Sequence, residues 1–457
     1  MTQLWCKQAW VNGHWSSDVL LEANSQGFWE RISPNTSPPT DTTPHLNCAV
    51  PGLVNAHSHA FQRVIAGMTE RRNRQHALDD FWSWRDRMYA VAQRINNHQL
   101  EIVAQWLYRE MLQSGFTHVC EFHYLHRGNH QGENADSAEM ALALVRAAKH
   151  AGIGLTLLPT LYMNRGFGQP GLNDKQRRFA SQPQDVLKWQ AQIQLLARQQ
   201  GLSHVLNAGI AFHSLRAVDT HAMRTVCEGL GEAPIHIHIA EQVKEVEDCL
   251  RHHGQRPIEC LLSQIELDSR WNLVHATHAQ AYELEGIARA NASVVLCPST
   301  EANLGDGIFD LGTAMSQGLK WSIGTDSHIN RHSALELQWL EYSQRLQKRE
   351  RNLTAKYRNS ICTAQILFES ALEGNSRACG LPLGGFAVGQ RADAVELNEK
   401  QAPLLGIPND HWLDAWVMGQ PCLPAQRVWV AGHEQSLTFD KTLMESWCEV
   451  MADLNMS

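Results

Sequence analysis

Short apolar runs alternating with helical segments constrain the fold of this chain more than any other feature. Candidate strands fall at 48–56, 117–122, 154–161, 206–212, 235–239, 272–276, 293–297 and 321–324. Between them, segments such as 99–114, 137–151 and 185–200 carry apolar residues at helical spacing. They stop at Gly115, Gly152 and Gly201, residues suited to end a helix. Strands alternating with helices of this length predict parallel βαβ units. Eight units within about 300 residues predict an α/β fold, a (β/α)8 TIM-like barrel. In that architecture reactive side chains gather at the C-terminal strand ends. Four runs end there in metal-binding or proton-transferring residues: His57-Ser58-His59, His238-Ile239-Ala240-Glu241, His275-Ala276-Thr277-His278 and Gly324-Thr325-Asp326.

The two ends of the chain differ from the middle. Residues 3–32 read as short strands turning at Asn12-Gly13 and Ser25-Gln26-Gly27. Residues 384–440 read likewise, with candidate strands 392–398, 415–418 and 426–431 punctuated by Gly419-Gln420-Pro421 and Gly432. Neither end is large enough to bury a core of its own. The expectation is one small β-domain built from both termini, 1–50 and 381–457, beside a barrel over 51–380.

Hydrophobic residues make up 43% of the 457 and charged residues 19%, so a large core is available and disorder is not expected. The formal net charge is −8. Basic residues cluster only briefly, as in Arg71-Arg72-Asn73-Arg74 and Lys348-Arg349-Glu350-Arg351, which argues against a nucleic-acid partner. Eleven cysteines contain no CxxC pair, so no disulfide framework is expected and a reducing cytoplasm is the natural location. The first residues lack a signal-peptide pattern, and no apolar run approaches the ~20 residues of a membrane span.

On a strand, His57 and His59 point to the same side, because side chains alternate. With His238 and Asp326 they make an N3O set that suits Zn2+, Fe2+ or Mn2+. A closed structural zinc site would favour cysteine. A catalytic cation lowers the pKa of bound water from 15.7 to about 7. Glu241, three residues beyond His238, is placed to accept a proton from that water and pass it to a leaving nitrogen. His275 can orient the water or polarise a substrate. His278 reads as supporting or structural, and His236, deeper on its strand, as a packed core histidine.

Taken together these residues resemble the amidohydrolase superfamily: HxH on strand one, HxxE on strand five, histidine on strand six, aspartate on strand eight. Strand four ends in Ala211-Phe212-His213-Ser214-Leu215 without the lysine that bridges two metals in many members. The resemblance therefore implies a single metal, commonly zinc, and a deaminating hydrolase, with Glu241, His275 and Asp326 as its catalytic residues. Further stretches carry the likeness over nearly the whole chain: Ala60-Phe61-Gln62-Arg63, Phe81-Trp82-Ser83-Trp84-Arg85, Glu121-Phe122-His123-Tyr124, Arg216, Ser299–Gly307 and Gly389-Gln390-Arg391-Ala392-Asp393. They are similar to the branch that deiminates N-formimino-L-glutamate in histidine degradation, and the resemblance implies a homodimer. It assigns Arg85 and Arg216 to the substrate carboxylates, with Gln62, Tyr124 and His213 as further contacts. The chemistry agrees: a small dicarboxylate needs fixed cations, and arginine offers a planar fork for a carboxylate. The alternatives are another mononuclear deaminase acting on a heterocycle such as guanine, or a metal-binding protein without turnover. Two features depart from the pattern: Glu396 in Ala394-Val395-Glu396, where an apolar strand is usual, and Arg127.

Overall fold

The computed structural model describes residues 2–40, 42–71, 80–128, 138–419 and 422–455. Arg72, Asn73 and Arg74 of the first basic cluster, the expected helix start at Ser137 and the turn residues Gln420 and Pro421 lie outside them.

The expected barrel is present. Its strands are β5 (Leu53–Ser58), β6 (Phe116–His123), β7 (Gly154–Leu161), the split pair β8 (Leu206–Ala208) and β9 (Ile210–Phe212), β10 (Ile235–Ile239), β11 (Trp271–His275), β12 (Ser293–Leu296) and β13 (Lys320–Ile323). Neighbours pair in parallel from β5 round to β13. A parallel bridge between Ser58 and Asp326 closes the ring. Closure brings the first and last strands unusually near each other at Gly324. A Cβ there would fall 2.6 Å from the Cβ of His57, so only glycine fits.

The strands are buried along their length, as expected for a parallel sheet covered by helices. Trp271, Trp321 and Phe122 are among the fully buried side chains, each worth roughly 1.5–3 kcal/mol or more of apolar burial. The intervening helices start at sequence-encoded caps. In Asn97–Gln113 the Asn96 side chain accepts the Gln99 N–H, while the Gln99 side chain accepts the Asn96 N–H.

A second, mixed sheet runs in the order β16-β15-β14-β4-β1-β2-β3. It joins β1 (Thr2–Val11), β2 (His14–Ala23), β3 (Trp29–Ser33) and β4 (His45–Val50) from one end of the chain to β14 (Ala394–Leu397), β15 (Ala425–Val430) and β16 (His433–Gln435) from the other. Glu396, unexpected in that strand, is satisfied there: it accepts hydrogen bonds from the Asn47 N–H at 2.9 Å and Arg427 Nε at 2.7 Å.

Three expectations change. The run 48–56 is two strands, β4 in the small sheet and β5 in the barrel, divided at Pro51-Gly52. The run 206–212 is interrupted at Gly209, where a Cβ would meet the carbonyl of Pro234. The candidate strand 415–418 is a π-helical turn, Ala415–Gly419. A helix the sequence reading did not include, Lys441–Asn455, closes the chain. Its Trp447 stacks on Trp106 of Asn97–Gln113 with ring centroids 4.8 Å apart and lies under the Arg63 guanidinium.

Candidate metal centre and active site

The backbone itself marks the site. Ala240, His275, Ala276 and Asp326 all have positive φ (52°, 70°, 49° and 45°), and all follow or end barrel strands. For non-glycine residues this conformation costs of order 1–3 kcal/mol each and persists only where the surroundings enforce it. Here strand closure enforces it. The N–H groups of Thr325 and Asp326 both reach the His57 carbonyl at 3.0 Å, and the Ala276 N–H reaches that of Ile239 at 3.1 Å.

These turns bring His57, His59, His238 and Asp326 together, with one ligand-capable atom from each lying within 4.8 Å of the others. His238 Nε2 is 3.0 Å from His57 Nε2 and 3.3 Å from His59 Nε2. Asp326 Oδ1 is 3.3 Å from both His57 Nε2 and His59 Nε2. The tautomers follow from the other ring nitrogens: His59 Nδ1 donates to the Phe122 carbonyl at 2.8 Å and His238 Nδ1 to that of His213 at 2.9 Å. Burial, reinforced by neighbouring imidazoles, pushes His57 and His238 well below the usual histidine range. Burial also lowers His59, against the pull of Asp326. Neutral rings oriented this way aim nitrogen lone pairs and a carboxylate oxygen at one point. A cation is what satisfies such a donor set, so the residues fit a single metal ion.

Glu241 and His275 stand beside this cluster, with His275 Nε2 at 3.9 Å from Glu241 Oε1. Burial raises the Glu241 carboxyl to about 7. Burial alone would lower His275, but Glu241, a hydrogen bond to Glu301 and Asp326 raise it to about 10. His236 is a core residue, its Nε2 at 2.9 Å from the Ala378 carbonyl. The N–H of His278 donates to the Ala240 carbonyl, and its side chain lies against Gly307.

A cavity of about 690 Å³, counted to its open mouth, lies over the cluster. His59, His238, Asp326, Glu241 and His275 form its floor; Gln62, Tyr124, His213, Arg85 and Arg216 are in its wall. Gln62 Nε2 donates to the Tyr124 hydroxyl at 2.9 Å. The Arg85 and Arg216 guanidiniums both face the Trp82 ring, at 4.4 and 5.9 Å from its centroid, and the Nε atom of each is buried without a partner. Burial opposes the charge of Arg216, but Glu245 above all, with Tyr162 and Glu241, holds it in place. Arg85 lies on the helix Phe81–Arg94, whose Asp80 cap accepts the Trp82 and Ser83 N–H groups. Trp84 lines the cavity.

Sequence reasoning missed the roles of Tyr89, Tyr162, Glu245 and Glu301. The tyrosines complete the cavity wall. Glu245 accepts the Glu241 N–H at 3.2 Å; its place four residues beyond Glu241 of the HxxE motif was the signal that could have found it. Glu301 lay inside a quoted motif, but nothing in the spacing tied it to His275.

The model of the Amidohydrolase family matches residues 48–433. The chain is 41% identical over 435 residues to the formimidoylglutamate deiminase of Pseudomonas aeruginosa, covering 94% of each. It is 25% identical over 360 residues to an 8-oxoguanine deaminase of the same organism, covering 77% of this chain and 74% of that one. Among solved structures, an amidohydrolase from Brucella melitensis superposes with a TM-score of 0.92 at 36% identity, covering 99% of this chain and 100% of that one.

Proposed function

The chain belongs to the amidohydrolase family, and on that premise we propose that it deiminates N-formimino-L-glutamate hydrolytically, releasing N-formyl-L-glutamate and ammonia, with one zinc ion per chain. The observation that carries this reading is the meeting, in one cavity, of an N3O cluster and two arginines with unpartnered Nε atoms. A heterocycle such as guanine has no pair of carboxylates to engage two guanidiniums. The 41% identity to a formimidoylglutamate deiminase supports the same choice over the more distant 8-oxoguanine deaminase.

His57, His59, His238 and Asp326 would hold the ion. When bound, it supplies Lewis acidity that makes water a nucleophile near neutral pH. The chain's own residues do the rest. Arg85 and Arg216 each offer a fork to one substrate carboxylate and so fix where the formimino carbon sits. Gln62, Tyr124 and His213 line the approach; burial holds the Tyr124 hydroxyl protonated, so it remains a donor. Glu241, with Asp326, takes a proton as water adds to the C=N carbon. His275 Nε2–H donates to the oxygen of the tetrahedral centre. Glu241 gives the water proton to the imino nitrogen; the hydroxyl proton released as the carbonyl forms follows through Asp326 and Glu241 to the same nitrogen, so that the C–N bond breaks and ammonia leaves. A carboxyl raised to about 7 suits both halves of that exchange.

All eleven cysteines are free thiols, and no helix among the described residues is long and apolar enough to cross a membrane. Both support a cytoplasmic setting, and a place in histidine degradation and a homodimeric assembly belong to the same proposal. The test is ammonia release from N-formimino-L-glutamate by apo and zinc-loaded protein, with guanine and 8-oxoguanine as competitors. Release from a heterocycle and none from the formimino acid would overturn the substrate assignment.

A further inference from the structure

One buried carboxylate touches the reactive histidine without lining the substrate cavity. Glu301 sits on the short helix Pro298–Leu304, which starts directly after β12. Its Oε1 accepts the Cys297 N–H at 2.9 Å and stands 3.3 Å from His275 Nδ1. Glu301 is 5% exposed and His275 1%. The helix is anchored from behind, where Ser299 N–H donates to Glu336 at 3.0 Å and Ser299 Oγ donates to the same carboxylate at 2.5 Å.

The geometry has a direct chemical reading. Glu301 Oε1, already an acceptor for the Cys297 N–H, faces a protonated Nδ1 of His275, and Nε2 is the nitrogen turned toward Glu241 and the cavity. The His275 backbone is in the left-handed region, with φ of 70°, so its ring is not aimed by ordinary strand geometry. Two rings also flank it: His238 lies nearly parallel at 5.7 Å and His57 edge-on at 5.9 Å. Rings restrict tilt, but the nearer carboxylate, Glu301 at 3.3 Å from Nδ1 against Glu241 at 3.9 Å from Nε2, fixes which nitrogen points away from the cavity.

We propose that Glu301 is a positioning residue: it holds the direction of the His275 ring, Nδ1–H toward itself, so that Nε2–H faces the reacting centre. This rests on the role given to His275 in turnover. The competing role is structural, in which Glu301 merely closes the helix by capping Cys297. The two separate by reach. Glu301→Gln keeps an acceptor at the same distance from Nδ1. Glu301→Asp keeps the charge but draws back from the ring.

Positioning predicts that Glu301→Asp lowers kcat about 10–100-fold, the usual effect of removing an outer partner of a functional histidine. KM should stay within about twofold and metal content should not change, while Glu301→Gln keeps most of the activity. In a His275→Asn background, Glu301→Asp should add less than about a twofold loss, because the ring it aims is gone. Equal losses in both backgrounds, or Asp outperforming Gln, would overturn the proposal. A readout free of turnover comes from crystal structures of the zinc-loaded proteins: the His275 ring should turn in Glu301→Asp and stay in Glu301→Gln. An unmoved ring in Glu301→Asp refutes positioning whatever the substrate. Unchanged turnover in His275→Asn alone would instead fault the mechanism given for His275.

Discussion

Replacing Arg216 by methionine isolates the basis of substrate choice. Methionine keeps an unbranched apolar stem of similar reach, so the wall of the cavity changes little in shape. What disappears is a buried guanidinium whose Nε has no partner within the protein. Removing one member of a buried hydrogen-bonded charge pair costs about 2–5 kcal/mol. At about 1.4 kcal/mol per factor of ten, kcat/KM for N-formimino-L-glutamate should fall about 30- to 4,000-fold. The loss should be selective. Wild-type protein should discriminate strongly between the dicarboxylate and its two analogues carrying one carboxylate as an amide. For one of those analogues, Arg216→Met should reduce the discrimination to near unity, since the carboxylate it lacks no longer has a partner. Ammonia release measured by a coupled dehydrogenase assay gives all three specificity constants. Burial pushes the Glu245 carboxyl up, and the substitution also removes the Arg216 charge that counters that push. The fold should therefore lose stability, and Glu245→Gln in the same chain should restore it without restoring activity. Unchanged discrimination in Arg216→Met would refute the carboxylate-fork reasoning.

Other outcomes follow from the same geometry. Glu241→Gln should lose about 10²–10⁴ in kcat while keeping its metal by elemental analysis, because the proton shuttle is gone and the ligand set is intact. With burial raising Glu241 to about 7, kcat/KM should fall as pH drops below neutrality, since a protonated carboxyl cannot accept from water. That acid limb should be missing from the residual activity of Glu241→Gln. Chelation should abolish turnover and lower the melting temperature, with zinc restoring both. Ligand binding stabilises by about 4 kcal/mol at a thousandfold excess over its dissociation constant.

The barrel was legible because its signal is local. Eight apolar runs and glycine-stopped helices reveal a parallel sheet without reference to long-range contacts, and His57, His59, His238 and Asp326 lie at strand ends where that fold collects its chemistry. The failures also have physical causes. The strands β4 and β5 read as one because both are buried and only Pro51-Gly52 separates them. The apolar run at 415–418 fits either a strand or a buried turn of helix, and periodicity over so few residues does not choose. Arg85 belongs to a helix with a mixed face, so its direction toward the cavity depends on Asp80 and Trp82 rather than on apolar spacing. The contact between Glu301 and His275 was invisible because it arises only when β11 and β12 lie side by side.

The seam between Ser58 and Asp326 sets an order of events during synthesis. Its two sides are recruited from stretches 270 residues apart, as the Asn55–Thr325 hydrogen bond shows. A nascent chain that has delivered only the first seven strands of the barrel offers the three imidazoles without the Asp326 carboxylate, an incomplete cradle for a cation. The full ligand set would therefore exist only in a finished ring, and a cation held by it would tie the first and last barrel strands together.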